Sequence, residues 1–133
     1  MKKVLKGWLI DNSVTTDNKT DNILLLASAG SLTLDDVLEE MQKQDTGLRP
    51  ETLHHSVTLY NRVLTDLILN GYSVNTGLFR AVPQLTGVIE GGVWNKEKNS
   101  IYVSLTQDKA LREAIAQTTE EILGEKSHIM YIL

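Results

Sequence analysis

The spacing of apolar and polar positions changes its period repeatedly along this chain. Residues Trp8 to Thr15 and Asn22 to Ala29 are apolar or β-branched runs. Between them lies Thr16-Asp17-Asn18-Lys19-Thr20-Asp21, a string of residues whose side chains hydrogen-bond their own backbone, so a strand pair or hairpin is predicted. From Leu34 the spacing becomes helical: Leu34, Val37, Leu38 and Met41 recur at i, i+3, i+4 and i+7, with Thr33 as N-cap and Asp36 three positions later. Asp45-Thr46-Gly47 closes this first helix. Pro50 then stands where a first helical residue tolerates proline, and Leu53, Val57, Tyr60, Leu64, Leu67 and Ile68 line one face of a second helix that stops at Asn70-Gly71.

After Gly71 the period becomes two. Tyr72, Val74 and Thr76 face one way and Ser73 and Asn75 the other, which predicts a strand. Gly77 interrupts it, Leu78 to Leu85 resume an extended pattern in which Pro83 marks an edge or bulge, and Ile101, Val103 and Leu105 form the returning strand. Two turns compete for the tip of this hairpin, Glu90-Gly91-Gly92 and Asn95 to Asn99, and the pattern does not choose between them. Ala110, Leu111, Ala114 and Ile115 then repeat with helical spacing behind Thr106 and Asp108, predicting a third helix that runs on toward Leu123-Gly124. The closing Ile129-Met130-Tyr131-Ile132-Leu133 predicts a strand that leads toward a further domain.

Composition narrows the possible functions. At 133 residues and 41% hydrophobic the chain has the size of one domain with its own core. Thirteen Lys and Arg against seventeen Asp and Glu give a net charge of -4, so there is no global attraction to nucleic acid or to an anionic membrane, and any DNA contact must be local. The absence of cysteine excludes disulfides, thiolate metal sites and cysteine nucleophiles. The apolar run after Met1-Lys2-Lys3 is broken at Lys6, Gly7 and Asp11, too soon for a signal peptide or a membrane span, which leaves a cytoplasmic protein as the expectation. His54 and His55 are adjacent on a helix and diverge by about 100 degrees, so they do not share a metal. No nucleophile with a base, no paired catalytic acids and no cofactor fingerprint is present. A non-enzymatic protein without cofactor, metal or small-molecule substrate is therefore expected.

The order helix, helix, strand, glycine turn, hairpin, strand, helix over Leu32 to Ile115 resembles the HU and integration-host-factor superfamily of histone-like bacterial proteins. Two segments carry the likeness. Gly71-Tyr72-Ser73-Val74-Asn75-Thr76-Gly77-Leu78-Phe79 is similar to the family's strand ending in Gly-x-Phe, and Leu105-Thr106-Gln107-Asp108-Lys109-Ala110-Leu111-Arg112-Glu113-Ala114-Ile115 to its Phe-Lys-Pro-Gly-Lys-Ala-Leu-Lys close. With the added N-terminal strand pair, the chain looks like the HU-like DNA-binding domain at the start of uncharacterised Bacteroides proteins, where an immunoglobulin-like domain usually follows. The resemblance implies an α+β fold in which two amphipathic helices lie under a small antiparallel sheet with a β-arm hairpin and a C-terminal helix. It implies a single HU-like domain over residues 1–133, with an added strand pair over 1–30, a core over 31–118 and an extension over 119–133. It further implies an interlocked homodimer whose arms enter the DNA minor groove and whose cations neutralise phosphates.

The candidate phosphate contacts are Lys109 and Arg112, one helical turn apart at the start of the third helix, with Arg80, Lys96 and Lys98 next. The hairpin departs from the family pattern: from Arg80 to Ile101, three cations against two anions leave a net charge of +1, and neither possible tip carries proline. Asp108 also places an anion where the family has Lys-Pro-Gly. The expected function is weak, sequence-indifferent binding of double-stranded DNA as a homodimer, in the nucleoid. The alternative is a protein-interaction or assembly module on the same dimeric fold. Gly77 and Phe79 read as structural, with the phenylalanine filling core beneath the sheet; Trp94 is either a base-stacking group or a hairpin plug.

Overall fold

The structure, a computed structural model, describes residues 2–11 and 22–126. The turn expected at Thr16 to Asp21 and the strand expected at Ile129 to Leu133 lie outside the described residues. The described residues form a mixed α+β fold with three helices and two three-stranded sheets. They fall into two compact units, one of residues 1–31 and 114–133 and the other of 32–113.

The first unit is a sheet of β1 (Val4–Asp11), β2 (Asn22–Leu26) and β6 (Thr119–Glu125) in the order β2-β1-β6. β1 runs antiparallel to β2, with Gly7 opposite Leu26 and Ile10 opposite Ile23, as the strand-pair pattern predicts. Its other edge pairs in parallel with β6. Gly7 is required by close approach, because a β-carbon there would lie 2.6 Å from Cγ of Leu24. The Lys126 ammonium sits 5.9 Å from the centre of the Trp8 ring, a cation–π distance.

β6 corrects one expectation. The third helix, α3 (Lys109–Ala116), does not run on toward Gly124. It ends where the Thr118 hydroxyl donates to the carbonyl of Ala114 at 2.8 Å and the Thr118 N–H to that of Ile115 at 3.0 Å. The next residues are captured as a strand by the backbone of β1, a partner more than one hundred residues away in the chain. Local helical periodicity carries no information about so distant a pairing.

The second unit begins with α1 (Leu34–Gln42) and α2 (Pro50–Leu69). Thr33 caps α1 as expected. Its hydroxyl accepts the Asp36 N–H at 3.4 Å, while the Asp36 carboxylate accepts the Thr33 N–H at 2.8 Å and the hydroxyl at 3.0 Å. Two first-turn backbone donors are thus satisfied reciprocally. α2 starts with Pro50 and stops as expected: the N–H of Tyr72 reaches the carbonyl of Leu67 at 3.1 Å and that of Gly71 the carbonyl of Ile68 at 3.0 Å, the paired bonds that end a helix at a glycine.

The chain then enters the antiparallel sheet β3 (Val74–Asn75), β4 (Phe79–Thr86) and β5 (Ser100–Gln107). β3 covers only Arg80 and Ala81 of β4, so Pro83 lies on an open edge where its missing N–H breaks no ladder. Leu38, Leu53 and Ala81 are the buried hydrophobic residues of this unit. Phe79 departs from expectation, being 42% exposed at the start of β4 rather than enclosed beneath the sheet.

The cap yields a pH prediction. The Asp36 carboxyl is held below its ordinary value of 3.8, chiefly by the Thr33 N–H and then by the Thr33 hydroxyl. A folded-state value below the unfolded one means that the ionised group stabilises above about pH 3.8, and that this contribution fades as the pH falls and the folded carboxyl protonates. Asp36→Asn is expected to melt below the wild type at pH 7, with the gap closing below pH 3.8 in thermal denaturation followed by circular dichroism. Thr33→Ala is expected to cost about 1 kcal/mol at neutral pH.

Candidate nucleic-acid interface

The register of β4 against β5 decides what this ribbon presents. Opposed residues in an antiparallel pair share a face, and faces alternate along each strand. One face therefore carries Ala81 opposite Leu105, Pro83 opposite Val103 and Leu85 opposite Ile101. The other carries Arg80 opposite Thr106, Val82 opposite Ser104, Gln84 opposite Tyr102 and Thr86 opposite Ser100. Asn75 of β3 pairs with Arg80, which extends that row to Asn75–Arg80–Thr106 across all three strands. The Thr86 and Ser100 hydroxyls meet at 2.6 Å farther along the same face.

The ribbon thus has an apolar side and a side rich in hydroxyl and amide groups. Such neutral donors make many of the phosphate and sugar contacts in protein–DNA interfaces, alongside Lys and Arg. Ser100, Tyr102, Ser104 and Thr106 are absent from the candidate residues that sequence reasoning selects, because only the apolar half of β5 marks it as a strand. Their signal is the same period of two on the opposite phase.

At the base of the polar face the chain turns into α3. The turn from β3 to β4 is closed by the Thr76 N–H on the Phe79 carbonyl at 2.8 Å and by the Gly77 N–H on Oδ1 of Asn75 at 2.8 Å. Asp108 ties α3 to this turn, its N–H donating to the Leu78 carbonyl at 2.7 Å, while its own carbonyl receives the first helical bond from Arg112 at 3.0 Å. Its carboxylate is held below the usual range by the backbone N–H of Lys109, then by the Asn75 side chain, with Arg112 and Arg80 adding smaller attractions. Arg80 from the sheet and Arg112 from the helix thus both act on one carboxylate, neither of them in an ion pair with it. Lys109, on the adjoining turn, is 3.9 Å from Glu113, an exposed and weak pair.

The two remaining candidate cations lie at the other end of the ribbon. Both turns proposed for the tip exist. The first closes with the Val93 N–H on the Glu90 carbonyl at 3.3 Å, the second with the Asn99 N–H on the Asn95 carbonyl at 2.7 Å. Asn99, only 4% exposed, holds them together: its side-chain NH2 donates to the Val88 carbonyl at 3.1 Å and its Oδ1 accepts the Asn95 N–H at 2.9 Å. Lys98 reaches both carboxylate oxygens of Glu90, at 2.9 and 3.0 Å. Lys96 has no ion pair among the described residues. Gly87 admits the closure, with φ of +100° and the Lys98 carbonyl standing where a β-carbon would need room. Around this folded end Leu85, Val88, Val93 and Ile101 are all more than 60% exposed, and Trp94 is 41% exposed.

The five cations are thus split into two groups. Arg80, Lys109 and Arg112 come together at the base, whereas Lys96 and Lys98 stand at the far end. Two of the five, Lys98 and Lys109, form an ion pair with a carboxylate. Among the described residues no group of His, Cys, Asp and Glu is placed to hold a metal, and no helix is long and apolar enough to cross a membrane.

A protein family described as a DNA-binding domain, HU-DNA_bdg, matches residues 4–124. The chain belongs to this family. Its fold is also similar to the crystal structure of a candidate bacterial DNA-binding protein from Bacteroides vulgatus ATCC 8482, at a TM-score of 0.82 and 44% sequence identity. The match covers 95% of this chain and 50% of that one, so the chain spans half the length of the protein it resembles. No curated protein matches it.

The Asn99 bonds predict a local lesion. Asn99→Ala leaves the Val88 carbonyl and the Asn95 N–H without their partner and is expected to cost about 1–3 kcal/mol. Hydrogen exchange should accelerate across residues 87–99 while the amides of α2 stay protected; uniform acceleration would show that the loop is not an independent device.

Proposed function

We propose that this chain is a non-enzymatic, HU-like DNA-binding domain that binds double-stranded DNA weakly and without sequence preference, through phosphate contacts and as a homodimer. The observation that carries the reading is the polar face of the β4–β5 ribbon with Arg80, Lys109 and Arg112 at its base, in a member of a DNA-binding family. Lys96 and Lys98 serve as outlying contacts at the ribbon's end. Hydroxyl and amide groups position the backbone, while the few cations supply the attraction. Weakness follows from the small number of cations and from the carboxylates paired with Lys98 and Lys109. A nucleoid-associated, cytoplasmic location accords with this reading, as does a single functional domain over residues 1–133.

The homodimer is supported by what the second unit leaves uncovered. Val37, Leu59, Tyr60 and Val63 on the helices are 42–50% exposed, and Leu105 and Ile101 on the sheet are more than 60% exposed. A groove of about 610 Å³, lined chiefly by Ile68, Leu69, Pro83, Leu85 and Ile101, runs between the end of α2 and the apolar side of the ribbon. Burial of such faces is the main favourable term in association. A second copy with its helices interlocked, in the HU and integration-host-factor manner, covers them symmetrically.

Two measurements test the reading. Light scattering is expected to give twice the mass of the chain, and a fully folded monomer at micromolar concentration would count against the interlocked arrangement. Fluorescence anisotropy with random-sequence duplexes in low salt is expected to show binding that Lys109→Glu/Arg112→Glu weakens roughly tenfold or more, with a salt slope shallower by about one unit for each phosphate no longer engaged. Unchanged binding in this variant would remove α3 from the interface. A dimer that binds no duplex even in low salt would instead favour the assembly-module reading, which the internally paired cations also suit.

A further inference from the structure

One large ring stands on the hydrogen-bonding side of the ribbon. Tyr102, in the middle of β5, lies opposite Gln84 and shares that side with Ser100 and Ser104, two residues to either side of it. Its diagonal neighbours across the ladder are Val82 and Thr86. None of these is bulky enough to enclose a phenol, and Tyr102 is 48% exposed. A core role does not account for the ring, since the apolar side is the opposite one, where Ala81 meets Leu105 and Leu85 meets Ile101. β5 is also an edge strand, paired with β4 alone, so no further strand among the described residues stands beyond Tyr102.

The surface around the ring suits a polyanion of low charge density. β4 and β5 contain no acidic residue, and Arg80 is their only charged one. Arg80 lies opposite Thr106, four residues along β5 from Tyr102, which is about 13 Å at a strand rise of ~3.3 Å per residue. In the other direction the Thr86 and Ser100 hydroxyls meet at 2.6 Å. A cation toward one end, a row of neutral donors and an open aromatic face between them form a combination that holds single strands: the backbone follows the positive charge and a base stacks on the ring. In a duplex the bases are stacked on one another, so phosphates and groove edges are all that can meet a flat sheet. A duplex also carries twice the charge per unit length of one strand, and so depends more on cations, of which this ribbon has few.

We propose that the hydrogen-bonding side of the β4–β5 ribbon is a site for single-stranded DNA, with Tyr102 as the platform on which a base stacks and Arg80 as the phosphate anchor farther along the row. Resting on the DNA-binding reading above, the site goes beyond it in substrate: it takes a single strand more tightly than a duplex. Every base has a ring face, so the stacking carries no sequence preference. Gln84 supplies an amide donor and acceptor opposite the ring.

Fluorescence anisotropy with a labelled oligothymidylate of about twelve nucleotides, which forms no duplex, tests the site against a random-sequence duplex of the same length in the same low-salt buffer. Wild type is expected to bind the oligothymidylate several-fold tighter than the duplex. Tyr102→Ala is expected to lose roughly tenfold in single-strand affinity, the share of about one stacked base, and to change duplex affinity by less than about twofold. Tyr102→Phe keeps the ring and should keep the affinity. Tyr102→Thr, a residue that strands accept well, takes the place of the alanine variant if circular dichroism shows that one to fold poorly. An abasic oligomer with the same phosphates should bind the wild type about as weakly as oligothymidylate binds Tyr102→Ala.

Oligothymidylate affinity that Tyr102→Ala leaves unchanged, or a wild type that holds the duplex more tightly than the oligothymidylate, would overturn the single-strand site and leave the DNA-binding reading standing. So would an abasic oligomer that binds as tightly as the oligothymidylate. A wild type that binds neither probe in low salt would overturn the DNA-binding reading and the single-strand site with it.

Discussion

The antiparallel register that sets Phe79 opposite Gln107 and Thr86 opposite Ser100 is the constraint on which the rest of the second unit depends. Because side chains alternate strictly along a strand, this one register sorts the ribbon into an apolar side and a hydrogen-bonding side. A slip of one residue between the strands would set Leu105 beside Arg80 and mix the two faces. The folded end guards against that slip. Asn99 is buried with its amide bonded on both sides, and Gly87 lets the chain pass so close to the Lys98 carbonyl that no other residue fits. The base is fixed as well, through the bond from the Asp108 N–H to the Leu78 carbonyl. A ribbon pinned at both ends has little freedom to shift.

Electrostatics act on that frame rather than create it. The cations of a DNA-binding ribbon are normally spent on phosphates, whose neutralisation supplies most of the affinity. Here two of the cations are paired within the chain, Lys98 with Glu90 and Lys109 with Glu113, while Arg112 and Arg80 attract the Asp108 carboxylate without forming an ion pair with it. The exposed pairs contribute little to stability, since water screens them. Their consequence lies instead in the long-range field, which they flatten. The hydrogen-bonding side of the ribbon is thus mostly neutral donors, with Arg80, Lys109 and Arg112 at its base.

The apolar surfaces have a complementary meaning. Leu38 of α1, Leu53 of α2 and Ala81 of the sheet are buried, yet most large aliphatic side chains of the second unit remain partly exposed. Amphipathic helices of this length are stabilised chiefly by burying their apolar face, since propensity alone leaves them marginal in water. The sheet of the first unit relies on tight local fit, with Leu24 filling the space that a side chain at Gly7 would take. The β4–β5 ribbon thereby presents a hydrogen-bonding side and an apolar side that are distinct in chemistry.

The amino-acid sequence by itself determined the elements whose signals are local. The Thr33–Asp36 cap, the proline start and glycine stop of α2, the Asn75-Thr76-Gly77 turn and the alternation of β4 and β5 each depend on neighbours within a few residues, so all are legible in the order of residues alone. Pro83 is legible as an edge residue for the same reason. Tertiary structure decided what depends on distant partners. Thr119–Glu125 is a strand because β1 offers it a backbone edge, although nothing in its own spacing excludes a helix. Both turns of the hairpin end exist because Asn99 bridges them, so the two are parts of one device rather than alternatives. Arg80 and Arg112, thirty-two positions apart, come to act on one carboxylate only when β4, β5 and the start of α3 are assembled. Periodicity reports which side of an element a residue occupies, and only pairing between elements reports what it meets there.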